Sequence, residues 1–462
     1  MTLAGLASAV RERRVSAVEL VSRSIERIQR LDGPVNSVIR IRAEGALADA
    51  AALDAAVAAG TVTGPLAGLP LLVKDNEDVT GVPTTFGSRL HADAGPAERD
   101  CEIVARLRVA GAIVVGKTNL PEFALEGFTS NRLFGDTRNP WALDWSPGGS
   151  SGGSGAALAM GLAPLATGTD GGGSIRIPAA YCGLVGLKPT NGLIGRDPTP
   201  SWIDFSTKGP MATSVADTRL LLEIVAGPIA GDPTALPGWI PRPESWPRRL
   251  LATTRICAGG PLPEGVAASF DRALQALQEA TGLPVEPIDP PFGPELDVDW
   301  FTTVSIEELT WIGRDVVAKR VDDLTPYLRE TLEHGATLGL DDYLGARRRR
   351  YDAIRVMDRL VGDDAIVVCP TMCVEGFFAD GRMPGHEDGR PPGSAYNTSA
   401  ANITGHPAIS LPAGVSDNGV PFGIQLTGPR FADDMLLAVS AAWEAAEPWP
   451  LHAPGFEPFD EG

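Results

Sequence analysis

From about residue 66 onward this chain alternates short apolar runs with helical segments, and that alternation constrains its fold class more than any other feature. Leu69, Leu71, Leu72 and Val73 belong to a run that ends on Lys74; residues 112–115 form a second run, and 365–368 and 408–411 form later ones. Between the first two lies an amphipathic stretch over 100–110, with Ile103, Val104 and Leu107 recurring on one side. Residues 158–169 hold a helix end followed by a further strand. Strands separated by helices predict an α/β fold with a mostly parallel central sheet.

Ahead of this region, residues 15–34 read as a helix. Ser16 and Glu19 form a capping box, Val15 and Leu20 a hydrophobic staple, and Gly33-Pro34 ends the helix. Val18, Val21, Ile25 and Ile28 supply its apolar face. An alanine-rich segment over 46–59 predicts a second helix, so residues 1–60 are expected to form a helical apron on a body spanning 61–462. Residues 227–298 are rich in proline and poor in pattern, and a variable, partly inserted region is expected there. The stretch 305–361 reads as helical, with Arg347, Arg348, Arg349 and Arg350 on a solvated face. There are no internal repeats.

Composition removes several classes of function. Glycine (53) and proline (40) are in excess across 462 residues, yet 44% of the chain is hydrophobic, enough for a large core and against disorder or collagen. Lys and Arg number 39 against 58 Asp and Glu, a net charge of −19 that repels phosphate backbones and anionic lipid. Neither nucleic acid nor a membrane is therefore expected as a partner. Cys101, Cys182, Cys257, Cys369 and Cys373 are odd in number and scattered, which is no disulfide framework. The opening MTLAGLASAVRERR lacks the apolar core and cleavage site of an export signal, so the expected location is cytoplasmic.

The glycine excess concentrates where chemistry is expected. No charged residue occurs between Asp144 and Asp170, and this stretch contains S-P-G-G-S-S-G-G-S-G-A-A, which runs straight into the helix former A-A-L-A-M. A flexible linker would not continue into a helix; a backbone-rich site at a helix N-terminus would. Soon after comes T-G-T-D-G-G-G-S-I-R-I-P, where three glycines before Ser174 leave consecutive N–H groups unobstructed, as an oxyanion hole requires.

Three mechanisms compete for these serines. A literal P-loop pattern spans Gly111 to Thr118, but residues 112–115 are strand formers and an amphipathic helix precedes them, so the phosphate-cradling turn is missing. G-x-S-x-G occurs around Ser150 and Ser151, yet no strand precedes it, and of the five histidines only His406 sits near a plausible strand for a Ser–His triad. The third reading takes Lys74 as base. A lysine at the end of a buried strand loses its charge more easily, and a neutral amine near pH 7 can accept a proton. Asp75 points to the opposite face of the strand and need not hold Lys74 protonated.

Taken together, L-P-L-L-V-K-D (69–75), G-A-I-V-V-G-K-T-N-L-P-E-F (111–123), P-G-G-S-S-G-G-S-G-A-A (147–157), G-T-D-G-G-G-S-I-R-I-P-A (168–179), G-L-V-G-L-K-P-T-N-G (183–192) and the late T-G-H-P-A-I-S-L-P-A-G and P-F-G-I-Q-L-T-G-P make this chain resemble the amidase signature family of serine hydrolases. The resemblance implies a single large α/β domain, with a mixed, mostly parallel sheet covered by helices on both faces. It implies Ser174 as nucleophile, Ser150 as bridging serine after a cis peptide at Gly149–Ser150, and Lys74 as ultimate base. Gly171, Gly172 and Gly173, with the Ser174 N–H, would form the oxyanion hole. Gly171 stands where many relatives carry Thr or Ile, which would widen the acyl side of the pocket. Thr169, Asp170, Arg176 and Ser151 would support the loops, while Phe128 and Thr129 are candidate substrate contacts.

The activity so implied is hydrolysis of a small or aryl carboxamide through an acyl-enzyme, with esters or carbamates as further substrates. The only partner expected is the small-molecule substrate, with no cofactor and no metal. The alternatives are an esterase with a Ser–His triad and a glutamine-hydrolysing amidotransferase subunit.

Overall fold

A computed structural model of the chain describes residues 1–61, 63–199, 201–238, 246–385 and 395–460. Its strands, in chain order, are β1 (Val38–Ile41), β2 (Pro70–Lys74), β3 (Ile113–Thr118), β4 (Ser130–Asn131), β5 (Gly135–Asp136), β6 (Leu165–Asp170), β7 (Val185–Lys188), β8 (Thr207–Ala212), β9 (Arg249–Ala252), β10 (Val285–Pro287), β11 (Ala365–Pro370), β12 (Ala408–Val415) and β13 (Pro421–Thr427). All but the small β4–β5 pair join one sheet of eleven strands, in the order β1-β3-β2-β6-β8-β7-β12-β13-β11-β9-β10.

The single α/β domain with a mixed sheet is the architecture the resemblance implied, but parallel pairing does not dominate it. Parallel pairs occupy the flanks: β2 with β3 and β6, and β9 with β11 and β10. The middle, from β6 through β8, β7, β12 and β13 to β11, is antiparallel throughout, as is the outer pair β1–β3. The cause is connectivity. Where a helix crosses over, as Glu102–Val109 does between β2 and β3 or Glu264–Thr281 between β9 and β10, the strands return parallel. Where the link is a tight turn, as between β12 and β13, they cannot.

Both faces of the sheet are covered. Along β9 and β11, Leu250, Ile366 and Val368 pack with Val266, Phe270, Ala273 and Leu277 of the helix Glu264–Thr281. Their neighbours Leu251, Val367 and Cys369 turn to the other side, with Leu296, Val304 and Leu309 of the helix Glu295–Ile312 and Ala353 and Met357 of the helix Leu340–Val361. This is the strand alternation of period two. Among the described residues no helix is long and apolar enough to cross a membrane.

A short helix Leu3–Arg11 comes first, and the helix read over 15–34 is Ala17–Leu31, capped as its sequence predicts: Ser16 Oγ accepts from the Glu19 N–H at 3.1 Å and Glu19 Oε2 accepts from the Ser16 N–H at 2.8 Å. The proline-rich stretch 227–298 contains more regular structure than its sequence pattern suggested. It contributes β9, β10 and the helix between them to the edge of the sheet, while 239–245 lie outside the described residues. The spacing of Val266, Phe270, Ala273 and Leu277 is helical, and prolines on either side mask it.

The consequence for the site is the parallel pairing of β2 with β6, in register at Leu71 with Leu165 and Leu72 with Ala166. Both strands run the same way, so Lys74 and Asp170, their last residues, come to the same edge of the sheet. Ligand sites of α/β sheets form at such carboxyl ends.

If the helix Glu264–Thr281 is an integral part of the core, Phe270→Ala lowers unfolding stability by about 3–5 kcal/mol, whereas Ser16→Ala costs about 1 kcal/mol through its lost cap. Urea denaturation midpoints order the two variants; a Phe270→Ala midpoint equal to the parent's removes that helix from the core.

Candidate active site

Lys74 is fully buried at the end of β2. Its Nζ lies 2.7 Å from Ser150 Oγ and 2.8 Å from Thr169 Oγ1, donating to both hydroxyls. Its backbone N–H donates to Thr167 Oγ1 at 2.9 Å, which fixes the start of the side chain. Burial drives the amine down from the ordinary lysine range to about 7, against the opposing pull of the Glu77 and Asp170 carboxylates. The neighbouring Asp75 faces elsewhere and pairs with Lys117 at 3.3 Å. Asn76 Nδ2 donates to Thr169 Oγ1 at 3.2 Å, so Thr169 is the junction that holds Lys74 and Asn76 together.

Ser150 follows a cis peptide bond from Gly149, and the helix Gly152–Ala159 starts two residues later. The turn is packed tightly on backbone: a Cβ on Gly149 would lie 2.5 Å from the Phe128 carbonyl oxygen and 2.6 Å from that of Glu126. Only glycine passes there. Ser151, fully buried, links this turn to the second loop, since its N–H donates to the Ser174 carbonyl at 3.1 Å and its hydroxyl accepts from the Thr169 N–H at 3.3 Å. Ser150 and Ser174 line one cavity, about 170 Å³ in volume, together with Thr169 and Gly171.

The loop from Asp170 to Ser174 hangs from a buried ion pair. Asp170 accepts from Arg176 Nη2 at 2.8 Å and Nε at 3.0 Å, from Asn402 Nδ2 at 2.9 Å, and from the N–H groups of Gly173 at 2.8 Å and Ile175 at 3.2 Å. Burial alone would push this carboxyl up, but the Arg176 charge and these hydrogen bonds outweigh it and hold it down at about 2. Arg176 spends its remaining N–H groups on the Thr398 carbonyl, Gln425 Oε1 and Asn402 Oδ1, at 2.8, 2.7 and 2.7 Å.

One N–H of the expected oxyanion set is already taken. The Gly173 N–H is committed to Asp170, whereas those of Gly171, Gly172 and Ser174 carry no hydrogen bond among the described residues. The N–H groups left unpaired on this loop are therefore those of Gly171, Gly172 and Ser174, and Gly173, at φ +136°, shapes the turn. Gly171 does not widen the pocket either, because the space its side chain would take is filled by the ring of Trp202.

Aromatic rings wall the cavity. Phe86, Phe123 and Trp311 pack together with ring centroids 5.3–5.8 Å apart, and Trp202 closes another side. The charged residues on its lining are paired internally, Lys208 with Glu77 at 3.5 Å and Arg196 with Asp232 at 3.7 Å. No sequence motif marks the two tryptophans; only the chain path brings them in.

Phe128 and Thr129 do not line the cavity. Phe128 packs against Phe377 in a separate apolar cluster, with Tyr327 edge-on to its ring, and Thr129 is fully buried, with its hydroxyl donating to the Gly148 carbonyl at 2.8 Å behind the serine turn. His406 is likewise elsewhere: fully buried, driven down to about 4 by burial, with Nε2 3.2 Å from Asp358 Oδ1. No described histidine lines the cavity, and His386 lies outside the described residues.

Comparison with known proteins gives the family. The Amidase family matches residues 19–437. AmiA2 of Mycobacterium tuberculosis is 36% identical over 98% of this chain and 94% of its own length. A glutamyl-tRNA(Gln) amidotransferase subunit of Chromohalobacter salexigens is also 36% identical, over 98% of both chains. Among solved structures, a bacterial aryl acylamidase of the amidase signature enzymes superposes with a TM-score of 0.88 at 28% identity, over 97% of this chain and 96% of that one. With its buried lysine beside a serine turn and its glycine loop on one cavity, the chain belongs to the amidase family, hydrolases of carbon–nitrogen bonds.

Proposed function

We propose that this protein is a free-standing amidase that cleaves small or aryl carboxamides through an acyl-enzyme on Ser174, with Ser150 as proton relay and Lys74 as base. The observation that carries this reading is the buried Lys74 amine, driven to about 7 and 2.7 Å from Ser150 Oγ, on the cavity that Ser174 also lines. A neutral amine has a lone pair, and across that same 2.7 Å contact the Ser150 hydroxyl can donate to it. Ser150 in turn takes the Ser174 proton as Ser174 attacks the carbonyl carbon.

The carbonyl oxygen gains negative charge as the tetrahedral intermediate forms, and the N–H groups of Gly171, Gly172 and Ser174 receive it. One such donor is typically worth about 2.7–4 kcal/mol in the transition state. The C–N bond then breaks, with the leaving nitrogen taking the proton back through Ser150. Water attacks the Ser174 ester by the same relay in reverse and frees the acid. Esters and carbamates present the same carbonyl and fit the same steps.

The aromatic lining of Phe86, Phe123, Trp202 and Trp311 favours an aryl or apolar amide. Glutamine carries charged α-substituents, and the charges on this lining are already paired, Lys208 with Glu77 on the lining and Arg196 with Asp232 behind it. The amidotransferase reading therefore ranks second.

Activity of the purified chain on a chromogenic anilide tests the proposal. Ser174→Ala is expected to lose about 10³-fold or more of kcat/KM, and Lys74→Met about 10²–10⁴-fold. His406→Gln keeps the anilide activity; a dead His406→Gln beside an active Ser174→Ala overturns the assignment. A chain that ignores anilides, esters and carbamates but hydrolyses glutamine when a partner is added belongs to an amidotransferase.

The pH dependence has a definite sign. Only the unprotonated Lys74 amine accepts a proton, so kcat/KM rises with pH to a plateau above an inflection at about 7. Below it, kcat/KM falls about tenfold per pH unit. An inflection well below 7 instead rules out Lys74 as the base.

A further inference from the structure

The nucleophile loop and its wall interlock more closely than the proton relay requires. Where a Cβ on Gly171 would stand, the six-membered ring of Trp202 already lies. Gly172 is related in the same way to Trp300, whose ring would be 2.7 Å from a Cβ. The two indoles meet edge to face, with centroids 5.7 Å apart and planes at 77°.

Each ring nitrogen is anchored. Trp300 Nε1 donates to the Gly171 carbonyl at 3.0 Å, and Trp202 Nε1 donates to Glu308 Oε2 at 2.8 Å. Glu308 lies on the same helix as Trp300, is fully buried, and also accepts from Ser201 Oγ at 2.8 Å. Burial pushes its carboxyl up to about 7. Trp202 itself is 6% exposed, and its exposed part lines the cavity next to Gly171 and Ser174. A ring so fixed is a rigid boundary, because moving it breaks a buried hydrogen bond and collides with Trp300.

We propose that Trp202 is the specificity-determining residue for the acyl group, restricting what stays on Ser174 to small acyl chains, and that Glu308 is the positioning residue that holds it there. This rests on the acyl-enzyme proposed above. The side of the substrate concerned follows from the chemistry. The acyl carbon is bonded to Ser174 and its oxygen faces the loop donors, so two directions remain, and the acyl chain takes the one on the Trp202 side. The leaving nitrogen must instead face Ser150, which returns its proton.

Two anilide series read this directly: acetyl, butyryl and octanoyl p-nitroanilides, and acetyl anilides with leaving groups of different size. The parent prefers acetyl to octanoyl. Trp202→Ala raises the octanoyl-to-acetyl ratio of kcat/KM by about tenfold or more, the scale on which apolar pockets discriminate. Trp202→Phe moves it less, and reads the same ratio if Trp202→Ala does not fold. Glu308→Gln, whose amide oxygen still accepts the indole N–H, keeps the parent ratio within about twofold, while Glu308→Leu moves it as Trp202→Ala does.

Gly171→Ala lowers kcat/KM by about tenfold or more, and adding Trp202→Ala relieves that loss, the non-additivity expected of two groups competing for one space. A ratio unmoved by Trp202→Ala and Trp202→Phe, or moved only in the leaving-group series, overturns the proposal. Ser174→Ala on the same substrates separates the two readings: full activity there sinks the acyl-enzyme itself, whereas an inactive Ser174→Ala beside an unmoved ratio sinks only the role of Trp202.

Discussion

The Asp170–Arg176 pair is the contact on which the rest of the site depends. Both partners are fully buried, a situation in which desolvation exceeds Coulomb attraction unless the remaining donors and acceptors are also satisfied. Here they are. Asp170 receives five N–H groups, and Arg176 reaches Thr398, Asn402 and Gln425, which belong to parts of the chain more than two hundred residues away. One ion pair thereby clamps the end of β6, the glycine loop, the helix Ser399–Thr404 and strand β13. It also divides the electrostatics of the site. With the Asp170 charge committed to Arg176, Lys74 is left to respond mainly to burial, which drives it toward neutrality.

What could be read from the sequence followed from how local each signal is. The capped helix Ala17–Leu31, the strand ending at Lys74 and the two glycine-serine loops are each encoded by local signals, and they stand where the sequence placed them. Strands β1, β7, β8, β9, β10 and β13 of the large sheet escaped. β8 is T-K-G-P-M-A, without apolar alternation although every residue is buried, and β9 and β10 flank a helix whose four-residue rhythm prolines obscure. The balance of parallel and antiparallel pairs was equally out of reach, because it is set by which strands neighbour one another and not by any one strand's composition.

Within the site the same rule holds. A G-G-G-S string announces available N–H groups, but it cannot say that the third is taken, since the taker is a carboxylate whose orientation depends on Arg176. Nor can a missing side chain at Gly171 announce an open pocket when Trp202, thirty residues on, fills it. Phe128 and Thr129 illustrate the converse: nearness in sequence to a catalytic motif places them behind the turn, as packing, and not in front of it.

The cavity joins two portions of the chain, with Phe86 and Phe123 of its aromatic wall lying within the first. Lys74, Ser150, Thr169 and Ser174 come from one portion of the chain, held by backbone and by the Asp170 clamp; Trp202 and Trp311 come from a later one, held by packing and by Glu308. In evolutionary terms this is a separation of inheritance. Descendants of such a chain can exchange the second set for new appetites while the first passes down unaltered, so diversification of diet needs no reinvention of chemistry.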